Sequence, residues 1–374
     1  MKLKVMTILG TRPEIIRLSE VMKKCDRYFE HILVHTGQNY DYALNEVFFR
    51  DLALKAPDFN LECAGADLGE TIGNVISRSY ALLARERPDA LLILGDTNSA
   101  LCSISAKRLK IPIFHLEAGN RCFDENVPEE INRRLVDHIA DVNLCYSEAA
   151  RRHLEREGRP PERTFVTGSP MAEVLTANLA GIEKSSALDR LGLVPESYIL
   201  LSAHREENID QEGNFFALMG SINALAERYG RPVVYSTHPR SAKTITARDF
   251  RFHPLVRSLP PFGFLDYNQL QRKAFCVVSD SGTLAEEASF FRFPAVSIRT
   301  STERPEALEK GNFILGGLTE EEVLRAVETA VAQQGNHETG AAVPDYADLN
   351  VSTKVTKIIE SYTKIVNLTV WRKT

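Results

Sequence analysis

The chain has 374 residues, more than the roughly 250–300 that one hydrophobic core usually serves, so we predict two domains. Charged residues make up 25% of the sequence and the formal net charge is −5, with a pI near 6.1. This balance argues against a nucleic acid partner. No stretch reaches the ~20 apolar residues of a membrane-spanning helix, so we expect no membrane segment.

The six cysteines show no CxxC pair and no zinc-like spacing, so we expect reduced, structural thiols in a cytoplasmic protein. The first ten residues form a short run ending at Gly10 and lack the apolar core of a signal peptide.

Short β-rich runs alternate with amphipathic stretches over the first 170 residues, a pattern typical of βαβ units on a parallel sheet. The predicted strands are 4–9, 31–35, 90–94, 111–116, 142–146 and 164–167, and the predicted helices are 13–24, 70–87, 99–109, 128–140 and 147–157. His31 and His35 share one strand face without a third ligand, so we interpret them as core or rim residues. The segment Gly168-Ser169-Pro170 breaks the pattern and is our candidate linker.

The alternation then restarts. The predicted strands are 198–202, 232–236, 275–279 and 295–298, and the predicted helices are 211–229, 282–291 and 319–331. Residues 333–349 are typical of a loop, and a last helix is predicted over 351–365. We therefore expect an α/β protein with two doubly wound, Rossmann-like domains, 1–170 and 171–350, with 351–374 packing back on the first. Such tandem sheets would meet at a cleft that holds the ligand.

Two glycine-bearing turns indicate anion binding. In GTRPEIIR (10–17), Thr11 and Pro13 suit a helix start, while Arg12 and Arg17 are able to face an anion at the helix N-terminus, although solvated arginines are the plainer alternative. In SDSGTLAEE (279–287) the small residues Ser281, Gly282 and Thr283 leave backbone amides open to a diphosphate. Glu287 could accept ribose hydroxyls; an N-cap serine followed by solvated glutamates is the alternative.

Further arginines stand at predicted strand ends. In RTSTERPE (299–306), Arg304 could bind phosphate in bidentate fashion, or form a surface ion pair with Glu303 or Glu306. In SAHREEN (202–208), His204 and Arg205 follow a strand directly, a position that favours a functional role.

The stretch HLEAGNRCFDENVPEEINRR (115–134) concentrates five carboxylates beside arginines, including Arg121, and a histidine at a strand end. Glu117 precedes Ala118-Gly119, where small side chains allow a ligand to approach, and Asp96 follows the preceding strand. Glu129/Arg133 and Glu130/Arg134 are spaced i,i+4 and could be surface ion pairs. Acids concentrated beside a bound anion are what proton transfer would need, so we interpret the chain as an enzyme.

Seven motifs follow one another along the chain: GTRPE, LGDT, HLEAGNR, PEEINR, AHRE, SDSG with EE, and ERPE. In this order they resemble the non-hydrolysing UDP-N-acetylglucosamine 2-epimerases, and the resemblance extends from Gly10 to about Gly317. The resemblance implies a GT-B arrangement with the active site in the interdomain cleft. It also implies a cytoplasmic homodimer that binds a UDP-sugar without metal or nicotinamide. Asp96, Glu117, Glu129 and His204 correspond to the family's catalytic positions. The positions that correspond to nucleotide or sugar contacts are Arg12, Arg17, Arg121, Arg205, Ser281, Gly282, Thr283, Glu287, Arg304 and, less securely aligned, Tyr267 beside uracil.

The resemblance is greatest to the branch that converts UDP-2-acetamido-2,6-dideoxy-L-talose to UDP-N-acetyl-L-fucosamine for capsule or O-antigen. The resemblance to this branch rests on the motifs LEAGNRCFDENVPEE, SAHREEN and STHPR. It also rests on Arg17, where the glucosamine branch usually has lysine. UDP-N-acetylglucosamine is the alternative substrate. A GT-B glycosyltransferase, a hydrolysing epimerase and a non-catalytic nucleotide-sugar-binding module are the alternative functions.

Overall fold

The computed structural model describes residues 2–38 and 42–373. The chain forms two compact units: the first unit comprises Met1–Thr176 and Pro344–Thr374, and the second unit comprises Ala177–Val343. Each unit has one parallel sheet with helices on the connections, so the predicted α/β class with two Rossmann-like halves is confirmed.

The first unit contains a seven-stranded sheet in the order β3-β2-β1-β4-β5-β6-β7. Its strands are β1 (Lys4–Leu9), β2 (Glu30–His35), β3 (Phe59–Asn60), β4 (Ala90–Leu94), β5 (Ile113–Ala118), β6 (Val142–Cys145) and β7 (Thr164–Val166). Every neighbouring pair is parallel. The strand order reverses between β1 and β4, and ligands of such sheets usually bind at the carboxyl ends of the strands near this point.

All but one of the following helices of the first unit overlap a predicted amphipathic stretch. They are α1 (Arg12–Tyr28), α2 (Tyr42–Asp51), α3 (Leu68–Glu86), α4 (Cys102–Arg108), α5 (Pro128–Ile139) and α6 (Glu148–Arg156). Helix α2 and strand β3 were not predicted. Strand β3 has only two residues, and its pairing with β2 rather than its own pattern defines it.

The candidate linker at 168–170 lies inside the first unit. Thr167 and Ser169 are fully buried, and Ser169 N–H donates to the carbonyl of Asp345 at 3.0 Å. Helix α7 (Met171–Glu183) begins immediately afterwards, and the division between the units falls inside it.

The second unit contains a six-stranded parallel sheet in the order β10-β9-β8-β11-β12-β13. Its strands are β8 (Ile199–Ser202), β9 (Val233–Ser236), β10 (Val256–Leu259), β11 (Cys276–Ser279), β12 (Ala295–Ser297) and β13 (Ile314–Leu315). Its helices are α8 (Ala187–Leu191), α9 (Glu206–Ile209), α10 (Glu212–Tyr229), α11 (Pro239–Ala247), α12 (Phe264–Lys273), α13 (Leu284–Phe291), α14 (Pro305–Glu309) and α15 (Glu320–Gly335).

No prediction covered the outer strands β10 and β13 or the helices α7, α8, α9, α11, α12 and α14. The outer strands are short and only partly buried, so they lack the continuous apolar runs of the central strands. The predicted loop 333–349 contains the end of α15 and a 3₁₀ turn at Pro344–Tyr346.

The last helix, α16 (Val351–Thr369), belongs to the first unit and packs against α1. Val351, Val355, Ile359 and Val366 are its fully buried aliphatic side chains. In the described ranges, no helix combines the length and apolar character needed to cross a membrane.

Candidate active site

The loop after β1 is tied to the loop after β4 by Glu14, which is 1% exposed. The Gly10 N–H and the Thr11 hydroxyl donate to Glu14 Oε2 at 3.1 and 2.7 Å. The hydroxyls of Thr97, at 3.1 Å, and Ser99 donate to the same carboxyl group. Burial raises the pKa of Glu14 above its ordinary value, while these four donors act in the opposite direction.

Thr11 occupies the N-cap position of α1, but its hydroxyl does not cap the helix and serves Glu14 instead. Glu14 was not selected from sequence, because glutamate is common in the first turn of a helix, where the helix dipole favours negative charge. Arg12 is the first residue of α1, and its guanidinium lies 5.9 Å from the ring centroid of Phe48, within cation–π range.

Glu117 lies in a β-bulge at the end of β5. Leu116 pairs with Leu144 and Ala118 with Cys145, so Glu117 is the extra residue, with φ at 70°. Bulges redirect side chains at the ends of strands. Here the carboxylate contacts Arg17, whose Nη1 lies 2.6 Å from Glu117 Oε2, and both side chains are less than a tenth exposed.

Asp96 follows β4 and is held by α5. Arg133 donates from Nε and Nη2 to Asp96 Oδ2 at 2.9 and 2.5 Å, and Asn132 Nδ2 donates to the Asp96 carbonyl at 3.0 Å. A Cβ on Gly95, the residue before Asp96, would lie 3.1 Å from Glu117 Oε2. The loops that carry the two candidate acids are therefore in close proximity.

The neighbouring glutamates of α5 differ in environment. Glu129 is partly exposed in the first turn. Glu130 is fully buried and accepts from Arg133 Nη1 at 2.7 Å, Arg134 Nε at 3.2 Å and Cys122 N–H at 3.1 Å. The Glu130/Arg134 ion pair that the spacing allowed is present. Its carboxylate is buried, however, so it is not a surface ion pair.

Arg121, predicted to bind substrate, is 1% exposed and lies among buried acids. It donates to Asp137 at 2.7 Å and to both oxygens of Glu157 at 2.8 and 2.6 Å. With its carbonyl contact at Asn120, these bonds use most of the guanidinium donors. This geometry is typical of a structural residue. His31 and His35 also lie where expected: His31 contacts Asp26 and Thr7, and His35 is fully buried.

In the second unit, Asp280 organises the turn after β8. It is fully buried, and its Oδ2 accepts the backbone N–H groups of His204 and Arg205, both at 2.9 Å, and Asn208 Nδ2 at 3.2 Å. His204 Nδ1 lies 3.2 Å from Asp280 Oδ1, and its ring centroid lies 5.9 Å from that of His238. Asp280 and His238 were not selected from sequence, since neither role is visible before β8, β9 and β11 are adjacent.

The turn after β11 has the small side chains that were predicted to expose backbone amides. Ser281, Gly282 and Thr283 are partly exposed, and the hydroxyls of Ser281 and Thr283 lie 3.0 Å apart. Helix α13 begins just after them, at Leu284. A pocket opens here, lined by Ser281, Gly282, Leu284, Ala285, Ser297, Arg299, Thr302, Arg304 and Phe313.

Arg304 is 1% exposed and lines this pocket. Its Nη2 lies 3.9 Å from Glu286 Oε2. Glu303 lies between two other arginines, Arg299 at 2.5 Å and Arg205 at 3.2 Å.

Glu287 and Tyr267 are close together in the second unit. Glu287 is 6% exposed and accepts from Gln271 Nε2 at 2.7 Å. Burial raises the pKa of Tyr267, and the nearby carboxylate of Glu287 adds to this effect, while hydrogen bonds with Ser202 and Ser279 act against it. These serines end β8 and β11, so Tyr267 lies at the same sheet edge as His204 and Ser281.

The structure thus brings Arg17, Asp96 and Glu117 together in the first unit. In the second unit it brings His204, Arg205, Tyr267, Ser281, Gly282, Thr283, Glu287 and Arg304 to the carboxyl ends of neighbouring strands. Within the described part of the chain, no cluster of three His, Cys, Asp or Glu side chains is placed to hold a metal ion.

Comparison with known proteins gives a consistent result. The profile of the family described as UDP-N-acetylglucosamine 2-epimerase matches residues 23–360. A UDP-N-acetylglucosamine 2-epimerase from Methanocaldococcus jannaschii is 34% identical over 345 residues, 89% of this chain and 94% of that protein. A UDP-2,3-diacetamido-2,3-dideoxy-D-glucuronate 2-epimerase from Pseudomonas aeruginosa is 31% identical, covering 88% of this chain and 93% of its own length.

Solved structures agree over the whole chain. A UDP-N-acetylglucosamine 2-epimerase from Rickettsia bellii superposes with a TM-score of 0.92 at 47% identity, covering 100% of both chains. The M. jannaschii enzyme, solved with UDP-GlcNAc and UDP, gives a TM-score of 0.89 over 96% of this chain and 99% of its own. The resemblance inferred from the motifs is confirmed. The chain belongs to the UDP-N-acetylglucosamine 2-epimerase family and is an isomerase, a non-hydrolysing UDP-sugar 2-epimerase.

Proposed function

We propose that this epimerase inverts C2 of UDP-2-acetamido-2,6-dideoxy-L-talose to give UDP-N-acetyl-L-fucosamine. The strand ends of the second unit hold UDP, and those of the first unit carry the groups that act on the sugar. The observation that carries the proposal is the placement of Asp96 and Glu117 at the ends of neighbouring strands. Each carboxylate is paired with a largely buried arginine.

Elimination is the chemical route. C2 of a 2-acetamido sugar has no adjacent carbonyl, so its hydrogen is not acidic enough for direct removal by a side chain. When the C1–O bond breaks, its electron pair leaves with UDP and positive charge develops at C1. The C2 proton then passes to a base and a C1–C2 double bond forms, giving a glycal. Protonation of C2 from the other face and return of UDP to C1 complete the inversion.

The first unit supplies the proton chemistry. Asp96 and Glu117 transfer the protons, because each carboxylate is fixed by an arginine and stands at a strand end. Glu129, partly exposed in the first turn of α5, orients or tunes them. Arg12 and Arg17, at the start of α1, contact the anionic part of the ligand.

The second unit supplies the nucleotide contacts. Backbone amides of 281–283 and the guanidinium of Arg304 bind the diphosphate. Ser281, Gly282 and Arg304 line one pocket. Glu287 accepts the ribose hydroxyls and Tyr267 lies beside the uracil. His204 and Arg205, anchored by Asp280, act near the departing diphosphate.

UDP-N-acetylglucosamine is the second candidate substrate. The M. jannaschii relative carries that activity in its name and has been solved with UDP-GlcNAc. In favour of the L-talose sugar stand Arg17 and the motifs LEAGNRCFDENVPEE, SAHREEN and STHPR. The P. aeruginosa relative, which acts on a third sugar, supports variation of substrate within one scaffold.

The deciding experiment offers both UDP-sugars, separately, in heavy water and follows C2 by proton NMR. We expect deuterium at C2 and inversion to be faster with the L-talose sugar. Faster inversion of UDP-N-acetylglucosamine would select the second candidate. Isotopic oxygen placed in the C1–O bond should scramble within the diphosphate, and inversion without scrambling would contradict elimination.

The same reactions separate the remaining functions. A glycosyltransferase would leave C2 unlabelled and would consume the UDP-sugar only when an acceptor is added. A hydrolysing enzyme would release free sugar. Binding without exchange would indicate a non-catalytic module. The same proposal includes a homodimeric state, a cytoplasmic location and a role in capsule or O-antigen synthesis. Sedimentation velocity tests the homodimeric state directly.

A further inference from the structure

His115 and Asp137 form a fully buried pair in the first unit. His115 lies in β5 and Asp137 in α5, and neither side chain is exposed to solvent. His115 Nδ1 lies 3.0 Å from Asp137 Oδ1. A buried polar pair of this kind costs free energy unless its other polar atoms also have partners, so those partners indicate what the pair does.

The partners are the backbone on either side of the candidate acids. His115 Nε2 lies 2.8 Å from the carbonyl of Gly95, to which it can only donate, and Gly95 directly precedes Asp96. Asp137 accepts the Gly119 N–H at 3.2 Å on both oxygens, and Gly119 follows Glu117 by two residues. The pair therefore contacts both acid-bearing loops at once.

These loops turn through left-handed backbone, which glycine adopts freely but which strains Glu117. Gly95, Glu117 and Gly119 have φ values of 70°, 70° and 84°. Non-glycine residues pay roughly 1–2 kcal/mol for the left-handed region, and such strain persists only where the surroundings impose it. A Cβ on Gly119 would lie 2.4 Å from the Ala150 carbonyl, so packing fixes this glycine as well.

Asp137 is the charged centre of the arrangement. Arg121 Nη1 donates to its Oδ2 at 2.7 Å. Burial opposes ionisation of Asp137, but the contacts with His115 and Arg121 hold its pKa below the ordinary value. The negative charge strengthens the bond from the Gly119 N–H.

We infer that His115 and Asp137 are positioning residues that fix the loops of Asp96 and Glu117 in the geometry needed for proton transfer at C2. Neither residue touches the sugar in this assignment. The inference rests on the proposed function, since it presumes that the two acids move protons.

Asp141 provides a matched control at the opposite end of β5. It is 3% exposed, accepts the Ile113 N–H at 3.0 Å and pairs with Lys107 at 2.6 Å. Asp141→Asn thus removes a comparable buried, strand-anchoring carboxylate away from the strand end that carries Glu117. Asp137→Asn and Asp141→Asn are compared in the full chain by thermal unfolding, by UDP affinity, and by kcat and KM for deuterium incorporation at C2.

Both variants are expected to lower the melting temperature. Only Asp137→Asn should reduce kcat, by roughly 10- to 100-fold, because a small displacement of reacting groups has effects of this size. Its UDP affinity and KM should stay within about twofold of wild type, since Asp137 is assigned no contact with UDP or the sugar. A kcat within about threefold of wild type in Asp137→Asn, or an equal loss in Asp141→Asn, would overturn the inference.

His115→Gln and His115→Leu provide a second test if Asp137→Asn does not fold. Glutamine can still donate to the Gly95 carbonyl and leucine cannot, so kcat should be at least about tenfold higher for glutamine; equal values would overturn the inference. Wild-type protein without any C2 exchange would refute the proposed function. Wild-type exchange with insensitive variants would refute the positioning role alone.

Discussion

Glu117 has a backbone conformation that few glutamates adopt. Its φ of 70° places it among the left-handed residues, at the one position where β5 is out of register with β6. Within an ordinary strand its side chain would alternate with its neighbours. The bulge instead directs the carboxylate to Arg17, so local strain and a buried ion pair together determine where the acid lies.

The first prediction concerns the two proposed acids. Asp96→Asn and Glu117→Gln should each lower turnover at least ~10²-fold, because loss of a proton-transfer group has an effect of this order. UDP affinity should be nearly unchanged, since neither carboxylate is assigned a contact with the nucleotide. Steady-state NMR assays and UDP titration measure the two effects.

Glu125→Gln is the matched control, since Glu125 lies in the same acidic stretch but its side chain is 75% exposed and contacts Arg134. Its turnover should equal that of wild type. Near-normal turnover in both Asp96→Asn and Glu117→Gln would show that the chemistry has been placed on the wrong residues.

At the scale of the element, the β4 turn depends on glycine. Gly95→Ala puts a Cβ at φ 70° and 3.1 Å from Glu117 Oε2, so we expect a loss of roughly 1–2 kcal/mol in stability and at least a tenfold loss of turnover. Gly192→Ala has a similar φ of 59° but no atom within 4 Å of the new Cβ. Urea unfolding should show similar losses for both, and equal turnover in the two variants would contradict the proposed close approach.

Helix α5 gives a prediction about pH. Burial opposes ionisation of Glu130, but the Cys122 N–H and Arg133 hold its pKa below the ordinary 4.5. A carboxyl group with a depressed folded pKa stabilises the fold above that ordinary value, and the contribution is lost as pH falls through the folded pKa. Glu130→Gln should therefore cost about 1–3 kcal/mol near neutral pH, and less at about pH 3.

The measurement is the free energy of unfolding of wild type and Glu130→Gln at both pH values. Glu129→Gln is the matched control, because Glu129 is partly exposed; its stability should change by less than about 0.5 kcal/mol, while its turnover falls. A difference between wild type and Glu130→Gln that does not vary with pH would contradict this account of Glu130.

At the scale of the whole molecule, the first unit is assembled from both ends of the chain. Helix α16 packs on α1 and buries Ile359 completely. Ile359→Ala should destabilise the protein by roughly 2–5 kcal/mol through lost burial and the cavity left behind. Ile365, on the same helix, is 40% exposed, so Ile365→Ala should cost much less. Thermal unfolding compares them, and equal losses would show that α16 does not complete the core.

The sequence predicted the elements and motifs more fully than their contacts. Central strands are continuous apolar runs, and glycine or small residues after them indicate candidate anion sites, so Ser281, Gly282 and Thr283 could be selected from pattern alone. Arg121 was selected as a ligand contact through the family resemblance, and the structure pairs it with Asp137 and Glu157. Its partners lie sixteen and thirty-six residues away, beyond any local pattern.

The amino-acid sequence by itself determined the α/β class, the two Rossmann-like halves and membership of the epimerase family, because periodicity and ordered motifs are properties of neighbouring residues. Only the tertiary structure decided that Glu117 occupies a bulge beside Arg17, that Glu14 joins two loops, and that Asp280 anchors His204. These contacts depend on which strand ends become adjacent in the sheet, and strand order is set by packing of the whole unit rather than by any one segment.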